Sequence, residues 1–374
     1  MAIKVGIVGT GLIAQWIHIP YVKEIEKYEL AAVCDVSSSL VKTVGTAFNV
    51  HRTYSEHEEM LRKEKLDAIV VCAPDEYHDQ VCVDALEAGC NVLVEKPLAL
   101  SVKAADRIVR AAEKAGRKLM VAYMKRYDPG YEAGASIMQN MDDVFFIRAH
   151  DFANGIIPSS PGNIVAVMRE TIKQGKVTPE QQTERNMMVA ERLREQFGTY
   201  SKTKANAWGK LLGLGSHDMT ALRGAFGDPV GVLATTVIPG MVSESPAETE
   251  YTTKIFSMLD YGKAKCVFEL GGTQRTWFDE ELVAFGNSQT TSVRWPLPWL
   301  KNAPTLVATT NVKNGGFEEC QKTCSYQESF KLEHLHFINC IENDTEPRTT
   351  GKEGKKDMEI LGEMLAKAEH TDLV

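Results

Sequence analysis

The sequence has 374 residues, of which 25% are charged and 44% hydrophobic, as is usual for globular proteins and not for disordered chains. A formal net charge of −8, without a local run of Lys or Arg, excludes the basic surface that a nucleic acid partner needs. The length exceeds what one hydrophobic core usually holds, so we expect two domains.

Neither export nor membrane insertion is expected. The first predicted strand starts at Ile3, which leaves no room for a signal peptide, and no apolar run approaches the roughly 18 residues of a membrane-spanning helix. The eight cysteines lie mostly in apolar segments. Cys320 and Cys324 could pair or bind a metal, but neither has a histidine or a further cysteine near it. We therefore expect a cytoplasmic protein with reduced thiols and no metal.

The first third of the chain alternates short apolar runs with amphipathic segments, which predicts a doubly wound parallel sheet. The expected strands are nearly continuous in apolar residues, like strands covered on both faces. They are Lys4–Val8, Leu30–Cys34, Ala68–Cys72, Asn91–Val94 and Leu119–Ala122. Helix signals fall between them: Ser55 with Glu58 is read as a capping box, Gly89 follows one helix, and Ser101 and Gly116 bound the next.

The segment Gly9-Thr10-Gly11-Leu12-Ile13-Ala14 follows the first strand and opens a helix at Leu12, which is the arrangement of a dinucleotide-binding turn. The first glycine permits the tight turn, the second lets the backbone approach a pyrophosphate, and the alanine lets the helix pack close to the sheet. The helix N-terminus then offers its unpaired amides and positive dipole end to the phosphates. Strand, turn, helix and second strand occur in the expected order, so dinucleotide binding is favoured over a purely structural turn.

Asp35 ends the second strand, 21 residues after Ala14. A carboxylate at this place accepts hydrogen bonds from the adenosine ribose hydroxyls and repels a 2′-phosphate. The predicted cofactor is therefore NAD rather than NADP.

Beyond Asp128-Pro129, strand-like runs follow one another without long helices between them, which predicts a large, mostly antiparallel sheet. The runs are Val144–Ala149, Val230–Val237, Thr252–Leu259 and Lys265–Leu270. The predicted fold class is thus α/β, with an N-terminal Rossmann domain at residues 1–124 and a C-terminal α/β domain at residues 125–374. Two helices are expected near the end, at Phe330–Glu342 and Asp357–Ala368.

A helical insertion at about residues 160–200 interrupts the second domain. Thr178-Pro179-Glu180-Gln181 supplies an N-cap, a proline at the first helical position and a glutamine at the third, and Gly198 supplies the end. Val189, Leu193 and Phe197 recur at helical spacing. Such a stripe indicates packing against the domain or against a partner subunit.

Further motifs identify a family. Cys72-Ala73-Pro74 followed by His78, Glu95-Lys96-Pro97 after the next strand, and Leu214-Gly215-Ser216-His217 together resemble the Gfo/Idh/MocA family, that of glucose-fructose oxidoreductase and inositol dehydrogenase. The resemblance spans nearly the whole chain, and the combination is specific for the family but not for a substrate. It implies that the cofactor is contacted by Gly9, Thr10, Gly11, Leu12, Ile13, Asp35, Ala73, Pro74, His78, Glu95, Lys96 and Met124.

The resemblance also implies that Lys96 and His217 are catalytic. Lys96 follows a parallel strand, at the edge where the nicotinamide of such a fold lies, and its ammonium can stabilise alkoxide character on a substrate hydroxyl. An imidazole titrates near neutral pH, so His217 is the candidate general base for the hydroxyl proton. Glu95 is expected to contact the nicotinamide side of the cofactor or to orient Lys96, and not to act as a base.

The chain departs from the family near the histidine. Family members often carry an aspartate four residues before it and another three after it, where this chain has Gly213 and Thr220. Asp218 is adjacent to His217, but neighbouring side chains on a helix point in different directions, so it need not replace either aspartate.

Other residues have weaker signals. Tyr123-Met124-Lys125-Arg126-Tyr127 matches the family's cleft-lining stretch, so Arg126 and Tyr127 are candidate substrate contacts, along with Lys96 and His217. Arg126 could equally pair with a carboxylate across the domain boundary. His18 is expected either near the cofactor or in a buried structural role. Asp151, Asn154 and Trp208 bracket the insertion and could help to shape a sugar pocket.

The preferred function is reversible NAD-dependent oxidation of a secondary hydroxyl on a sugar, glycoside or cyclitol, at the third carbon of the sugar if the substrate is a glycoside. One alternative keeps NAD tightly bound and uses it for hydride exchange between sugars or for glycoside cleavage through transient oxidation. Another is a non-catalytic NAD-binding regulator. A homo-oligomer is expected because an exposed antiparallel sheet usually needs a cover, and the family often pairs these sheets.

Overall fold

The computed structural model describes residues 2–153, 168, 171–198, 201–240, 252–272, 278–313 and 315–368. The described residues fall into two compact units. The first contains Met1–Tyr123, Val167–Tyr200 and Phe330–Lys356, and the second contains Met124–Ala166, Ser201–Ser329 and Asp357–Val374. The predicted division, 1–124 and 125–374, differs from these units: Met124 falls in the second unit. Residues 171–198 of the helical insertion and residues 330–356 belong to the first unit.

The first unit is built on a six-stranded sheet whose strands all run parallel, in the order β3-β2-β1-β4-β5-β6. The strands are β1 Ile3–Val8, β2 Tyr28–Cys34, β3 Thr53–Tyr54, β4 Ala68–Val71, β5 Asn91–Glu95 and β6 Leu119–Ala122. The five predicted strands are confirmed, and β3, with only two residues, has no recognisable pattern. The strand order reverses between β1 and β4, which is where doubly wound sheets bind ligands.

The second unit contains an eight-stranded sheet in the order β14-β13-β12-β11-β7-β10-β9-β8. Only β7 and β10 pair in parallel, so the predicted antiparallel character is confirmed. Its strands are β7 Val144–Ala153, β8 Gly231–Ile238, β9 Lys254–Tyr261, β10 Ala264–Gly272, β11 Asp279–Gly286, β12 Gln289–Arg294, β13 Leu306–Lys313 and β14 Gly316–Thr323. Sequence reasoning placed the first four of these. Strands β11–β14 were not predicted. Every residue of the edge strand β14 is exposed, so its sequence has no alternation of apolar and polar residues.

Helices cover both sheets. They are α1 Ile19–Glu24, α2 Ser38–Ala47, α3 His57–Lys63, α4 His78–Glu87, α5 Val102–Ala115, α6 Pro129–Gln139, α7 Pro179–Phe197, α8 Lys202–Lys210, α9 Ser216–Phe226, α10 Ser329–Asn343 and α11 Gly351–Ala366. A wider, π-helical turn leads into each of two helices, at Ala14–His18 before α1 and at Leu211–Gly215 before α9. The last helix begins six residues before the predicted Asp357.

Most of the predicted helix ends are confirmed. The Ser101 side chain accepts a hydrogen bond from the Ala104 amide at 3.1 Å, and Gly116 ends α5 in the left-handed region at φ +61°. The capping box predicted from Ser55 and Glu58 is wrong. Helix α3 begins one residue later, with Glu56 at the N-cap and no side-chain cap, and Ser55 lies in the wall of a cavity.

The insertion helix α7 begins as predicted. The Gln181 amide donates to the Thr178 hydroxyl at 3.2 Å, and the Thr178 amide donates to the Gln181 side chain at 2.9 Å, which together form a capping box. Gly198 ends the helix. Leu193, from the predicted packing stripe, is buried, and α7 packs against α5 of the first unit.

Candidate functional site

The turn between β1 and the first helical residues contains two glycines that serve different purposes. Gly9 has φ +90°, and a Cβ there would lie 2.4 Å from the Cys72 carbonyl group. Gly11 has no such neighbour: a Cβ on it would meet no heavy atom within 4 Å. The first glycine is therefore demanded by the fold itself, whereas the second leaves a cradle open next to a helix N-terminus, which is the feature that a pyrophosphate uses.

Asp35 is held at the carboxyl end of β2 by two neighbours. Its Oδ2 accepts hydrogen bonds from the Thr10 amide at 2.8 Å and from the Thr10 hydroxyl at 3.0 Å. Its Oδ1 accepts one from the Ser37 amide at 2.9 Å. Thr10 is fully buried, so its side chain orients the carboxylate that is predicted to bind the ribose.

A cavity of about 480 Å³ lies within the first unit at the carboxyl edge of its sheet, a size typical of small-molecule sites. Seven of the predicted cofactor contacts line it: Gly9, Gly11, Leu12, Ile13, Asp35, Ala73 and Pro74. The insertion supplies four more lining residues, Gly175, Val177, Gln181 and Arg185, which sequence reasoning did not connect with the cofactor. The structure thus brings the glycine turn, the acidic residue and the Cys72-Ala73-Pro74 motif around one space.

His78 joins the two loops that follow β4 and β5. It is fully buried, and its ring nitrogens lie 2.9 Å from the carbonyl oxygen of Ala73 and 2.8 Å from that of Pro97. Since Ala73 lines the cavity and Pro97 follows Lys96, the imidazole ties the Glu95-Lys96-Pro97 motif to the cavity wall. A direct contact of His78 with the cofactor stays a prediction, because His78 does not line this cavity.

Glu95, at the end of β5, is buried in a chain of hydrogen bonds. Its Oε1 lies 2.9 Å from Nε2 of His18, and its Oε2 accepts from the Lys96 amide at 3.1 Å. The other ring nitrogen of His18 lies 2.9 Å from Nε2 of His334 in α10. Burial raises the pKa of Glu95, but the hydrogen bond from His18 and the charges of His18 and Lys96 outweigh it, so this pKa lies below its usual value. Glu95 is therefore an ionised group that fixes the backbone of Lys96.

Sequence reasoning missed the contribution of α10 to this chain. Burial, with the neighbouring His18 as a further cause, holds the pKa of His334 well below its usual value. Burial and the charge of Glu95 raise the pKa of Glu333 well above its own. The signal was present in the sequence, because Glu333 and His334 lie between apolar residues of one amphipathic helix. For His18, fully buried, the structure favours the structural role of the two that were considered.

The remaining predicted site residues lie in the second unit. Met124 and Tyr127 are buried in the turn Met124–Tyr127, and Nη1 of Arg126 donates to the Thr220 carbonyl oxygen at 2.9 Å. Arg126 therefore binds α9 within its own unit. His217 is the second residue of α9 and is half-buried. Contacts of these four residues with cofactor or substrate stay predictions.

Buried carboxylates lie beneath α9. Ligand atoms of Asp151, Asp218 and Glu280 are within 4.8 Å of one another, and Lys125 forms an ion pair with Glu280. Burial and the charge of Asp151 raise the pKa of Asp218 well above its usual value. Asp151 and Trp208 are buried, and a part of theirs in shaping a sugar pocket stays a prediction. Asn154 lies outside the described residues.

Comparison with known proteins agrees with the motifs. Residues 3–123 match the family model described as "Oxidoreductase family, NAD-binding Rossmann fold". Inositol 2-dehydrogenase of Paracoccus denitrificans is 35% identical over 136 residues, which are 36% of this chain and 40% of that protein. D-glucoside 3-dehydrogenase of Escherichia coli is 31% identical over 125 residues, 33% of this chain and 36% of that protein. The similarity covers about two fifths of the length of these relatives.

Solved structures share the fold over the whole chain. An aldose-aldose oxidoreductase from Caulobacter crescentus superposes with a TM-score of 0.72 and 20% identity, covering 98% of both chains. A scyllo-inositol dehydrogenase from Lactobacillus casei gives a TM-score of 0.70 at 18% identity, covering 100% of this chain and 98% of the other. The first unit is thus an NAD-binding Rossmann domain, as predicted. Among the described helices, none has the length and apolarity to cross a membrane.

The two turn glycines should respond differently to the same substitution. We expect Gly11→Ala to fold with nearly wild-type stability and to bind NADH at least about tenfold more weakly, because its methyl group enters only the open cradle. Gly9→Ala should be strongly destabilised, since its methyl group meets backbone at a positive φ. Urea unfolding and NADH fluorescence titration measure the two quantities. Equal NADH affinity of wild type and Gly11→Ala would contradict the prediction that the space next to Gly11 receives the pyrophosphate.

Replacing His18 should destabilise the protein in a pH-dependent way. His18→Leu leaves the Glu95 carboxylate buried without its partner, a loss of about 3–5 kcal/mol at neutral pH. The lowered pKa of Glu95 stabilises the wild type above the usual carboxyl range, and this contribution disappears as the pH falls through the lowered value. The difference in unfolding free energy between wild type and variant should therefore shrink below about pH 4.5. Urea unfolding between pH 3.5 and pH 8 tests this, and a pH-independent difference would argue against it.

Proposed function

We propose that this chain, whose residues 3–123 match the family model of NAD-binding oxidoreductases, is an NAD-dependent dehydrogenase that oxidises a secondary hydroxyl of a sugar, glycoside or cyclitol to a ketone. The observation that carries the proposal is the placement of Lys96. It follows β5 at the carboxyl edge of the sheet, and His78 ties its motif to the wall of the NAD cavity. Lys96 itself is not among the residues that line the cavity, so its link to the cofactor runs through the motif that His78 holds.

The proposed chemistry divides between two side chains. The ammonium group of Lys96 donates a hydrogen bond to the substrate hydroxyl oxygen and stabilises negative charge as it develops there. His217 accepts the hydroxyl proton. Bound NAD⁺ supplies the hydride acceptor, so one substrate molecule yields one ketone, one NADH and one proton. Glu95, held ionised by His18, keeps the Lys96 backbone in place and takes no proton from substrate.

The substrate class follows from the relatives. The similar proteins from Paracoccus denitrificans and Escherichia coli are named for an inositol and a D-glucoside, both of which carry secondary ring hydroxyls. The second name also specifies oxidation at position 3. We therefore propose cyclitols and glycosides as the first substrates to test, with the third carbon as the oxidised position of a glycoside.

We also propose that the protein is a homo-oligomer that pairs the open face of its eight-stranded sheet. This face carries half-exposed aromatic side chains, among them Phe146 against Phe285 at a ring separation of 5.3 Å and Phe152 near Phe256 at 6.4 Å. The opposite face packs in the core. Half-exposed aromatic rings on a broad sheet are characteristic of interfaces.

The dehydrogenase proposal is tested by absorbance at 340 nm with NAD and a panel of inositols, monosaccharides and glycosides. One substrate class should generate NADH, and Lys96→Ala and His217→Ala should each lower kcat by about 10²–10⁴-fold. Lys114→Ala, at an exposed lysine of α5, is the matched control and should keep full activity. NADH binding by both site variants shows that they still fold.

Two other outcomes of these assays would favour the alternative functions. Absence of NADH, together with bound NAD and conversion of a sugar when an oxidised sugar is supplied, would favour hydride exchange with a retained cofactor. Inactivity in both assays would favour a non-catalytic NAD-binding regulator.

The oligomer proposal is tested by light scattering of the purified protein. The wild type should have at least twice the mass of one chain, and Phe256→Glu should reduce it, because a carboxylate would be buried at the centre of the proposed interface. Ser136→Ala, on the exposed side of α6, is the control. A monomeric wild type would contradict the proposal.

A further inference from the structure

The insertion contributes a wall to the NAD cavity, although no motif assigns it to the cofactor. Its residues 171–198 are called the strap below. Val177, Gln181 and Arg185 of the strap line the cavity together with Asp35 and Ser37, which mark the adenosine side of a dinucleotide site. The strap therefore borders the adenosine half of the cavity.

The start of the strap is fastened next to the glycine turn. The Gln15 side chain makes a paired contact with the backbone of Lys173: its Nε2 donates to the carbonyl oxygen at 2.8 Å, and its Oε1 accepts from the amide at 3.0 Å. Nε2 of Gln15 also donates to the Thr10 carbonyl oxygen at 2.7 Å. Gly175 lies close to Ser37, since a Cβ there would approach the Ser37 hydroxyl to 3.0 Å.

The end of the strap is fastened on the other side of the cavity, near the start of α5. Glu195 accepts from Arg107 at 2.8 Å and from the Ser101 hydroxyl. The Gln196 side chain accepts from the Val102 amide at 2.9 Å. Arg192 and Arg107 both pair with the buried carboxylate of Asp79, at 2.9 and 2.8 Å. This network of charges holds the second half of α7 against α4 and α5.

A single ion pair fastens the middle of the strap where it borders the cavity. Nε of Arg185 pairs with the carboxylate of Glu76, whose side chain is only 6% exposed. Glu76 lies in the turn Asp75–Tyr77, directly after the lining residue Pro74. A planar guanidinium can also stack on an aromatic ring, so an arginine here suits a neighbouring adenine.

We infer that the strap encloses the adenosine half of NAD and holds the cofactor in the protein, with Arg185 and Glu76 as the latch. The strap is fastened on both sides of the cavity, so an enclosed dinucleotide leaves only after the segment between the fastenings moves away. Breaking the latch leaves a buried carboxylate without its partner and favours that movement. The inference rests on NAD binding by the first unit, and not on the identity of the substrate.

Release of the cofactor tests the latch. Protein loaded with NADH is mixed with excess NAD in a stopped-flow instrument, and the loss of NADH fluorescence gives the dissociation rate. Arg185→Gln and Glu76→Gln should each release NADH about tenfold faster than wild type, the effect of losing one charge-assisted hydrogen bond. Arg194→Gln makes the same change at an exposed position of the same helix and should release NADH at the wild-type rate.

A second measurement uses the unmodified chain. Saturating NAD should slow tryptic cleavage after Lys173 and Lys176, which are exposed residues of the strap. This result is independent of the folding of any variant. Wild-type release rates in both latch variants, or cleavage that NAD leaves unchanged, would overturn the inference that the strap holds the cofactor. A wild type that binds no NADH would overturn the cofactor assignment as well, so the two failures are distinguishable.

Discussion

Parallel strands end on the same edge of a sheet, and this constraint organises the whole cofactor unit. The glycine turn follows β1, Asp35 follows β2, the Cys72-Ala73-Pro74 motif follows β4 and Lys96 follows β5. Segments that are distant in sequence therefore meet around one cavity without long loops. The closest approach is that of Gly9 to the Cys72 carbonyl, where two neighbouring strand ends leave no space for a side chain. Reversal of the strand order at this point opens the crevice that the cofactor occupies in such folds.

The charge next to Lys96, at the carboxyl edge of the parallel sheet, depends on buried residues. An ionised carboxylate at Glu95 is stabilised in the interior by the hydrogen bond from His18 and by the charges of His18 and Lys96, and His18 in turn contacts His334. The same low-dielectric surroundings raise the pKa of Glu333, the next residue in α10. Glu95 thus keeps its charge, whereas ionisation of Glu333 is disfavoured. The consequence for Lys96 is a fixed backbone beside a permanent negative charge, which is a suitable setting for an ammonium group that must meet a developing alkoxide.

Local signals in the sequence predicted much of this structure. Continuous apolar runs identified five parallel strands, and residues with defined cap geometry, such as Ser101, Gly116 and Thr178, fixed helix ends. Strands β11–β14 were not predicted: β14 is exposed along its whole length and shows no alternation, whereas β11 and β12 contain buried positions that were overlooked. The hydrogen bonds of His18 with Glu95 and with His334 could not be predicted either, since they join residues more than 70 and more than 300 positions apart. A sequence pattern predicts whether a segment is a helix or a strand, but not which part of the protein it packs against. The insertion was therefore predicted in the second domain, whereas residues 171–198 belong to the first unit.

The order of segments along the chain has a consequence for how the protein is made. The chain passes between the two units five times, after residues 123, 166, 200, 329 and 356. His334, which completes the interior of the first unit, is synthesised more than 200 residues after the last strand of its sheet. The cofactor unit therefore cannot finish folding while it emerges from the ribosome. Until α10 has been synthesised, Glu95 and His18 lack the helix that encloses them, so the growing chain carries an incomplete nucleotide domain up to that point.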